Sequence, residues 1–254
     1  MKLRYLTVAL LSQPLLQPMQ VFAAAPAQPR IVKAEDLKQI IAKGTTEQLS
    51  ELLKHGISPD ARLGEGMPLL VMAAYSGRLD MVHTLLLHGA TPDAAQPPGI
   101  SALSVAAATN NAHMLDLLLQ HGADKNFRAT QGDSVLMLAC SQNALDTIQI
   151  MLAYKADPNT ADVNGVTPLI YSVARCAEPA VVSRMLLEHG ADPNARMNDG
   201  TTALIAAALR NNVECTRLLL QYGADISARD AEGYNARELA KNPEILSLLD
   251  NASK

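Results

Sequence analysis

A 33-residue period governs this chain. Paired long apolar residues recur four positions ahead of a residue that is glycine in five of six cases: Leu52-Leu53 before Gly56, Leu85-Leu86 before Gly89, Leu118-Leu119 before Gly122, Met151-Leu152 before Lys155, Leu186-Leu187 before Gly190 and Leu219-Leu220 before Gly223. Successive spacings are 33, 33, 33, 35 and 33 residues. Self-similarity at such a period marks a stack of small units, none of which can bury its apolar face alone.

Two further series run in step. One is Gly66, Gly99, Gly132, Gly165, Gly200 and Gly233. The other is Leu70, Leu103, Leu136, Leu169 and Leu204, each followed by small residues: Ala73-Ala74, Ala106-Ala107, Ala139-Cys140, Ser172-Val173 and Ala207-Ala208. The apolar residues, 48% of the chain, are nearly all aliphatic, with no Trp, two Phe and six Tyr. That composition suits close-packed helices better than strands, which favour β-branched and aromatic residues.

The pattern resembles the ankyrin repeat, with its Thr-Pro-Leu-His-x-Ala start. Gly165-Val166-Thr167-Pro168-Leu169 matches it best, and Gly122-Ala123-Asp124 and Asp192-Pro193-Asn194 match the family's Gly-Ala-Asp-x-Asn stretch. The resemblance implies an all-α solenoid of helix-turn-helix units joined by β-hairpin-like loops. Five central repeats are expected (66–98, 99–131, 132–164, 165–199 and 200–232) between an N-terminal cap at 34–65 and a C-terminal cap at 233–251. One departure is uniform: Val71, Ser104, Met137, Ile170 and Ile205 replace the family's His, which bonds within the turn. Apolar contact is expected to serve there instead.

Each unit predicts a first helix starting near a hydroxyl such as Thr167 or Thr202, which can accept a bond from an unpaired helix N–H. The second helix carries apolar residues at spacings of three and four, as in Met114, Leu115, Leu118 and Leu119. It ends at the glycine, where the chain turns through a left-handed conformation; Lys155 is expected to adopt that conformation without being glycine. Leu37, Ile40, Ile41, Leu49, Leu52 and Leu53 are expected to face inward from the first cap, while Arg237 and Glu238 make the last unit polar. Repeat four is two residues longer, and the excess is expected to lengthen the loop around Arg175-Cys176-Ala177-Glu178-Pro179.

Residues 1–25 have a different character. Lys2 and Arg4 precede an apolar run from Tyr5 to Leu16, interrupted by Ser12, Gln13 and Pro14, and small residues follow at Val21-Phe22-Ala23 through Ala25-Pro26-Ala27. This is the three-part order of a secretory signal peptide. It predicts cleavage between Ala24 and Gln28, a linker at 26–33, and a bacterial periplasmic protein whose mature chain does not insert into a membrane.

Motifs of chemistry are sparse. Net charge is −4, which argues against a nucleic-acid footprint. His55, His88, His121 and His189 recur one per repeat before the turn residue, a place that suits the negative end of a helix. His83 and His113 read as isolated. No acid/base pair, nucleophile motif or phosphate-binding glycine loop occurs, so neither catalytic residues, metal nor cofactor is expected. Cys140 and Cys215 read as small buried residues and Cys176 as the more exposed thiol. Arg62, Arg128, Arg196 and Arg229 share one register, interrupted by Ala95 and Ala161, and read as a solvated hairpin edge.

Ankyrin proteins bind partners through hairpin tips and the concave face of the first helices. Matching those positions gives Tyr75, Thr109, Gln142, Arg175 and Arg210 on the first helices and Glu65, Gln131, Asn164, Asn198 and Asp199 at the tips. The resemblance implies a monomeric, non-catalytic module for one protein partner, serving as helper of a stress-defence enzyme or as an immunity protein against an exported toxin. A host-directed effector is the alternative, an enzyme a remote one.

Overall fold

The computed structural model describes residues 33–175 and 179–252. The predicted export segment, most of the linker and Cys176 lie outside the described residues. Between Lys33 and Lys254 the chain is one compact unit.

Helices pair throughout it. A cap of α1 (Ala34–Lys43) and α2 (Thr46–Lys54) comes first. Five repeats follow: α3 (Leu69–Tyr75) with α4 (Leu79–Leu87), α5 (Ala102–Ala108) with α6 (Ala112–Gln120), α7 (Val135–Ser141) with α8 (Leu145–Ala153), α9 (Pro168–Arg175) with α10 (Pro179–Glu188), and α11 (Ala203–Leu209) with α12 (Val213–Gln221). A cap of α13 (Ala236–Leu239) and α14 (Pro243–Ala252) ends the stack. First helices pack on first helices and second on second. The predicted solenoid is therefore the observed one.

The leucine series is the axis of the core. Leu70, Leu103, Leu136, Leu169 and Leu204 are each at most 1% exposed. Ala73, Ala106, Ala139, Ser172 and Ala207 beside them are fully buried, so no larger side chain separates adjacent first helices. In the first cap Leu37, Ile41, Leu49 and Leu53 are buried as expected, whereas Ile40 and Leu52 are half-buried, since this cap is the first unit of the stack among the described residues.

Helix starts follow the hydroxyls. Ser101, Ser134, Thr167 and Thr202 accept bonds from Ser104, Met137, Ile170 and Ile205 backbone N–H groups. Val71, Met137, Ile170 and Ile205 are buried apolar contacts, but Ser104 departs from that expectation. Its hydroxyl accepts from the Ser101 N–H at 3.0 Å and donates to the Ser101 carbonyl at 2.8 Å. Repeat two thus keeps a polar closure of the turn.

Second helices end in a shared motif. After α4, the Gly89 N–H reaches the Leu86 carbonyl and the Ala90 N–H the Leu85 carbonyl, with Ala90 buried. This is the Schellman closure, in which the residue past the cap is left-handed. Lys155 takes that place after α8 at φ 58°, with matching bonds from Lys155 to Leu152 and Ala156 to Met151. His121 and His189 bring Nδ1 to the carbonyls four residues back, Leu117 at 2.9 Å and Met185 at 2.8 Å.

Short antiparallel hairpins join the repeats: β1 (Arg62–Leu63) with β2 (Met67–Pro68), β3 (Ala95–Gln96) with β4 (Ile100–Ser101), and single bridges at Arg128–Ser134, Arg196–Thr202 and Arg229–Asn235. Side-chain oxygens of Asp60, Asp93, Asn126, Asn159 and Asn194 accept backbone N–H bonds from Thr91, Asp124, Asp157, Asp192 and Asp225, a ladder running from repeat to repeat. The backbones approach closely as well: a Cβ on Gly165 would lie 2.9 Å from the Asn198 nitrogen.

The arginines of the shared register are exposed, as expected of a solvated hairpin edge, and they are also bonded. Arg62 donates to the carbonyls of Gly66 and Ala95, Arg128 to that of Ala161 and Arg196 to that of Arg229, so the guanidiniums tie each hairpin to the next. The loop expected to carry the extra length of repeat four, around Cys176-Ala177-Glu178, lies outside the described residues; α9 ends one residue later than its counterparts and α10 starts one residue earlier.

Candidate partner-binding surface

The core leaves a row uncovered at the ends of the first helices. Thr109, Gln142 and Arg210, expected on the helices, stand one residue past α5, α7 and α11, and Arg175 is the last residue of α9. Thr109, Gln142, Arg175 and Arg210 stand ten residues after their repeat glycines and are all exposed. Tyr75 stands nine after Gly66, one position out of that row, and is 52% exposed. Its equivalents are Ala108, Ser141, Ala174 and Leu209, the last 54% exposed. Large apolar side chains therefore stand at both ends of one register, with small residues between them.

The row is polar in detail. The Arg175 guanidinium lies 5.7 Å from the centre of the Tyr171 ring. Thr109 donates to the Val105 carbonyl at 2.8 Å, and Gln142 donates to the Ser141 hydroxyl at 3.2 Å. Both side chains are thus partly engaged by their own helices.

The tips Glu65, Gln131, Asn164, Asn198 and Asp199 are exposed too, but they are less free than the sequence implied. Val163 donates to the Gln131 carbonyl, Asn198 to the Asn164 carbonyl and Ala231 to the Asp199 carbonyl, so consecutive tips are linked through the backbone. The Asn198 amide also donates to the Val163 carbonyl at 3.0 Å. Glu65 and Gln131 hold left-handed backbones, φ 59° and 65°, which fixes the direction of their side chains.

Between the first helices and the hairpins of repeats two and three lies a cavity of about 230 Å³, lined by Tyr75, Ile100, Val105, Thr109, Asp133 and Leu138 among others. Sequence reading missed Asp133. It follows a repeat glycine where other units have Met67, Ile100, Val166 and Thr201, and that register was the available sign. Loss of solvent around Asp133, and then the nearby Asp162 charge, raise its carboxyl above the usual range.

A second cavity, about 660 Å³, opens along α4 and α6, with His83, His113, Asp80 and Asp116 in its lining. The two histidines taken as isolated therefore share one concavity, and the His83 ring meets His121 edge-on at 5.8 Å. The charged groups there are already matched: Arg78 pairs with Asp80 at 2.7 Å, and Asp116 accepts from Tyr154 at 2.8 Å. Among the described residues no group of three or more His, Cys, Asp or Glu side chains is placed to hold a metal ion. Among the described residues no helix is long and apolar enough to cross a membrane. Cys140 and Cys215 are both fully buried.

Models of ankyrin repeats match residues 37–86, 70–162 and 136–230. The chain belongs to the ankyrin-repeat family. No curated protein matches it by sequence. Among solved structures it is similar to the ankyrin repeat domain of Bcl-3, a member of the IkappaB protein family, at a TM-score of 0.78 and 26% identity over 84% of this chain and 97% of that one. The human ASB11 ankyrin repeat domain gives a TM-score of 0.69 at 26% identity, covering 84% of this chain and 96% of that one. As an ankyrin array the chain is a protein–protein interaction module.

Proposed function

We propose that this ankyrin protein is a non-catalytic module of the bacterial periplasm that holds one protein partner on its first-helix face and hairpin tips. The supporting observation is the face itself: Tyr75 and Leu209, both more than half exposed, share one register at the ends of the first helices, beside the exposed Gln142, Arg175 and Arg210. Tyr and Arg are the residue types that most often dominate binding energy at interfaces. The test is capture of partner from a periplasmic extract by the chain carrying Tyr75→Ala, Gln142→Ala, Arg175→Ala and Arg210→Ala together. Capture should fall at least about tenfold while circular dichroism is unchanged, because exposed substitutions shift stability by less than about 0.5 kcal/mol each. Arg184→Ala with Arg217→Ala, on the outer helices, should capture normally. Normal capture by the quadruple variant would remove the face from the mechanism.

Export is supported by the order of charge, apolar run and small residues in 1–25. N-terminal sequencing of the protein from the periplasmic fraction should read a start between Ala24 and Gln28. A start at Met1 in the cytoplasm sinks the location. Within the periplasm, a module of this kind serves as helper to a stress-defence enzyme or as immunity protein to a toxin, and the identity of the captured partner separates the two.

A further inference from the structure

The cavity beside Tyr75 is built for a side chain of particular chemistry. At about 230 Å³ it is smaller than the roughly 300–1,000 Å³ typical of small-molecule sites, so a single side chain fits it better than a cofactor. Ile100, Val105 and Leu138 give it apolar walls. Asp133 adds a half-buried carboxylate that, among the described residues, accepts no hydrogen bond and pairs with no cation.

The neighbouring hairpin acids differ from it. Asp162 accepts from the Asn164 and Val166 N–H groups, and Asp230 from those of Glu232 and Tyr234. Arg128, in the Asp133 hairpin, directs its guanidinium to the Ala161 carbonyl. A carboxylate partly removed from water and lacking a donor is unfavourable until a cation reaches it. Asp162 nearby makes the place more negative still. Tyr75 supplies an exposed ring at the same cavity, a surface on which a guanidinium stacks.

We propose that this cavity seats one cationic side chain of the bound protein, arginine in preference to lysine, its aliphatic stem against Ile100, Val105 and Leu138 and its head on the Asp133 carboxylate. The seat rests on the first-helix face being the binding surface, and it specifies which part of a partner docks over repeats two and three.

The test uses n-butylguanidinium as the probe, titrated into the ¹⁵N-labelled full chain at constant ionic strength. Saturable shifts are expected at the Ser104, Thr109 and Asp133 amides, with dissociation in the millimolar range. In Asp133→Asn binding should weaken about tenfold, as expected for loss of a charge-assisted bond. Tyr75→Ala, which leaves the carboxylate in place, should weaken it about threefold. Butylammonium should bind less tightly than the guanidinium, and neutral n-butylurea should give no saturable shift. Equal shifts from butylurea, undiminished binding by Asp133→Asn, or no saturation up to about 0.1 M probe each overturn the seat. Such a failure, alongside loss of partner capture by the quadruple variant, leaves the face standing without the seat. Normal capture by that variant overturns both.

Discussion

The Thr147 hydroxyl donates to Asn110 Oδ1 at 3.2 Å, joining the turn of repeat two to the second helix of repeat three. One repeat later the acceptor is present and the donor is not. Asn143 occupies the Asn110 place, with the same left-handed backbone, and its Oδ1 is buried without a partner among the described residues. The residue equivalent to Thr147 is Val182, fully buried. Val182→Thr keeps the shape and supplies the missing hydroxyl. It should raise the unfolding free energy by about 1 kcal/mol, and Thr147→Val should lower it by about 1–3 kcal/mol through the orphaned Asn110 oxygen. Urea titration measures both; a lower midpoint for Val182→Thr means the hydroxyl does not reach Asn143.

Lys155→Gly acts through the backbone alone. The glycines at equivalent places, Gly56, Gly89, Gly122, Gly190 and Gly223, have nothing within 4 Å of where a Cβ would stand. Crowding therefore does not decide the matter at this register, and φ does. A left-handed non-glycine residue costs about 1–2 kcal/mol, and glycine returns about 0.4–1 kcal/mol of that through unfolded-chain entropy. The substitution should stabilise the chain by about 0.5–1 kcal/mol in urea. A destabilised variant would show that the Lys155 stem contributes packing that outweighs its strain.

These two cases show why the periodic part of the fold was legible and the rest was not. A left-handed φ forces glycine at a fixed register, so Lys155 could be identified from the residues around it. The hydroxyls at Thr167 and Thr202 were legible because a helix start needs an acceptor at one place. The arginine register was legible as an exposed edge, but its bonds were not: its acceptors are backbone carbonyls, which every residue carries and no side-chain pattern marks. Ser104 was misjudged because two serines closing a turn do not resemble the His they replace. Tyr75 stands one position off the row of the other four residues, and the sequence did not separate the two positions because both are uncovered. Asp133 was not legible because its register carries no repeated chemistry: the equivalent residues are Met67, Ile100, Val166 and Thr201.

Arg128→Ala tests the reading of the arginine register. The guanidinium donates to the Ala161 carbonyl at 2.6 Å across the junction of repeats two and three. Its removal should cost about 0.5–1.5 kcal/mol. Because the acceptor is a neutral carbonyl, that loss should persist at about 0.5 M NaCl, where an exposed ion pair would be screened. A loss that disappears with salt would mean that Arg128 stabilises the chain as a charge and not through the Ala161 carbonyl.

Asp133 gives the chain a pH dependence with a definite sign. Loss of solvent, then the Asp162 charge, raise its folded carboxyl above its unfolded value. Protons are therefore bound more tightly in the folded state, and the stabilisation this brings is complete below the unfolded value, near pH 4. It is lost as pH rises through the raised folded value. At pH 7 the ionised Asp133 is thus a burden on the fold. Asp133→Asn removes the charge with little change in shape, so at pH 7 the variant should unfold at higher urea than the parent. The advantage should shrink as pH falls and vanish below about pH 4, where both chains are neutral at this position. The groups whose values are lowered, Glu47 bonded to Thr45, Asp80 beside Arg78, Asp225 bonded to Ser227 and Glu238 bonded to Asn235 and Arg229, weaken both chains in acid and cancel in the difference. Paired urea titrations from pH 4 to 8 give the comparison. A variant less stable than the parent at pH 7 would mean that a donor within the chain already satisfies the carboxylate, and the seat for a partner's cation would fall with it.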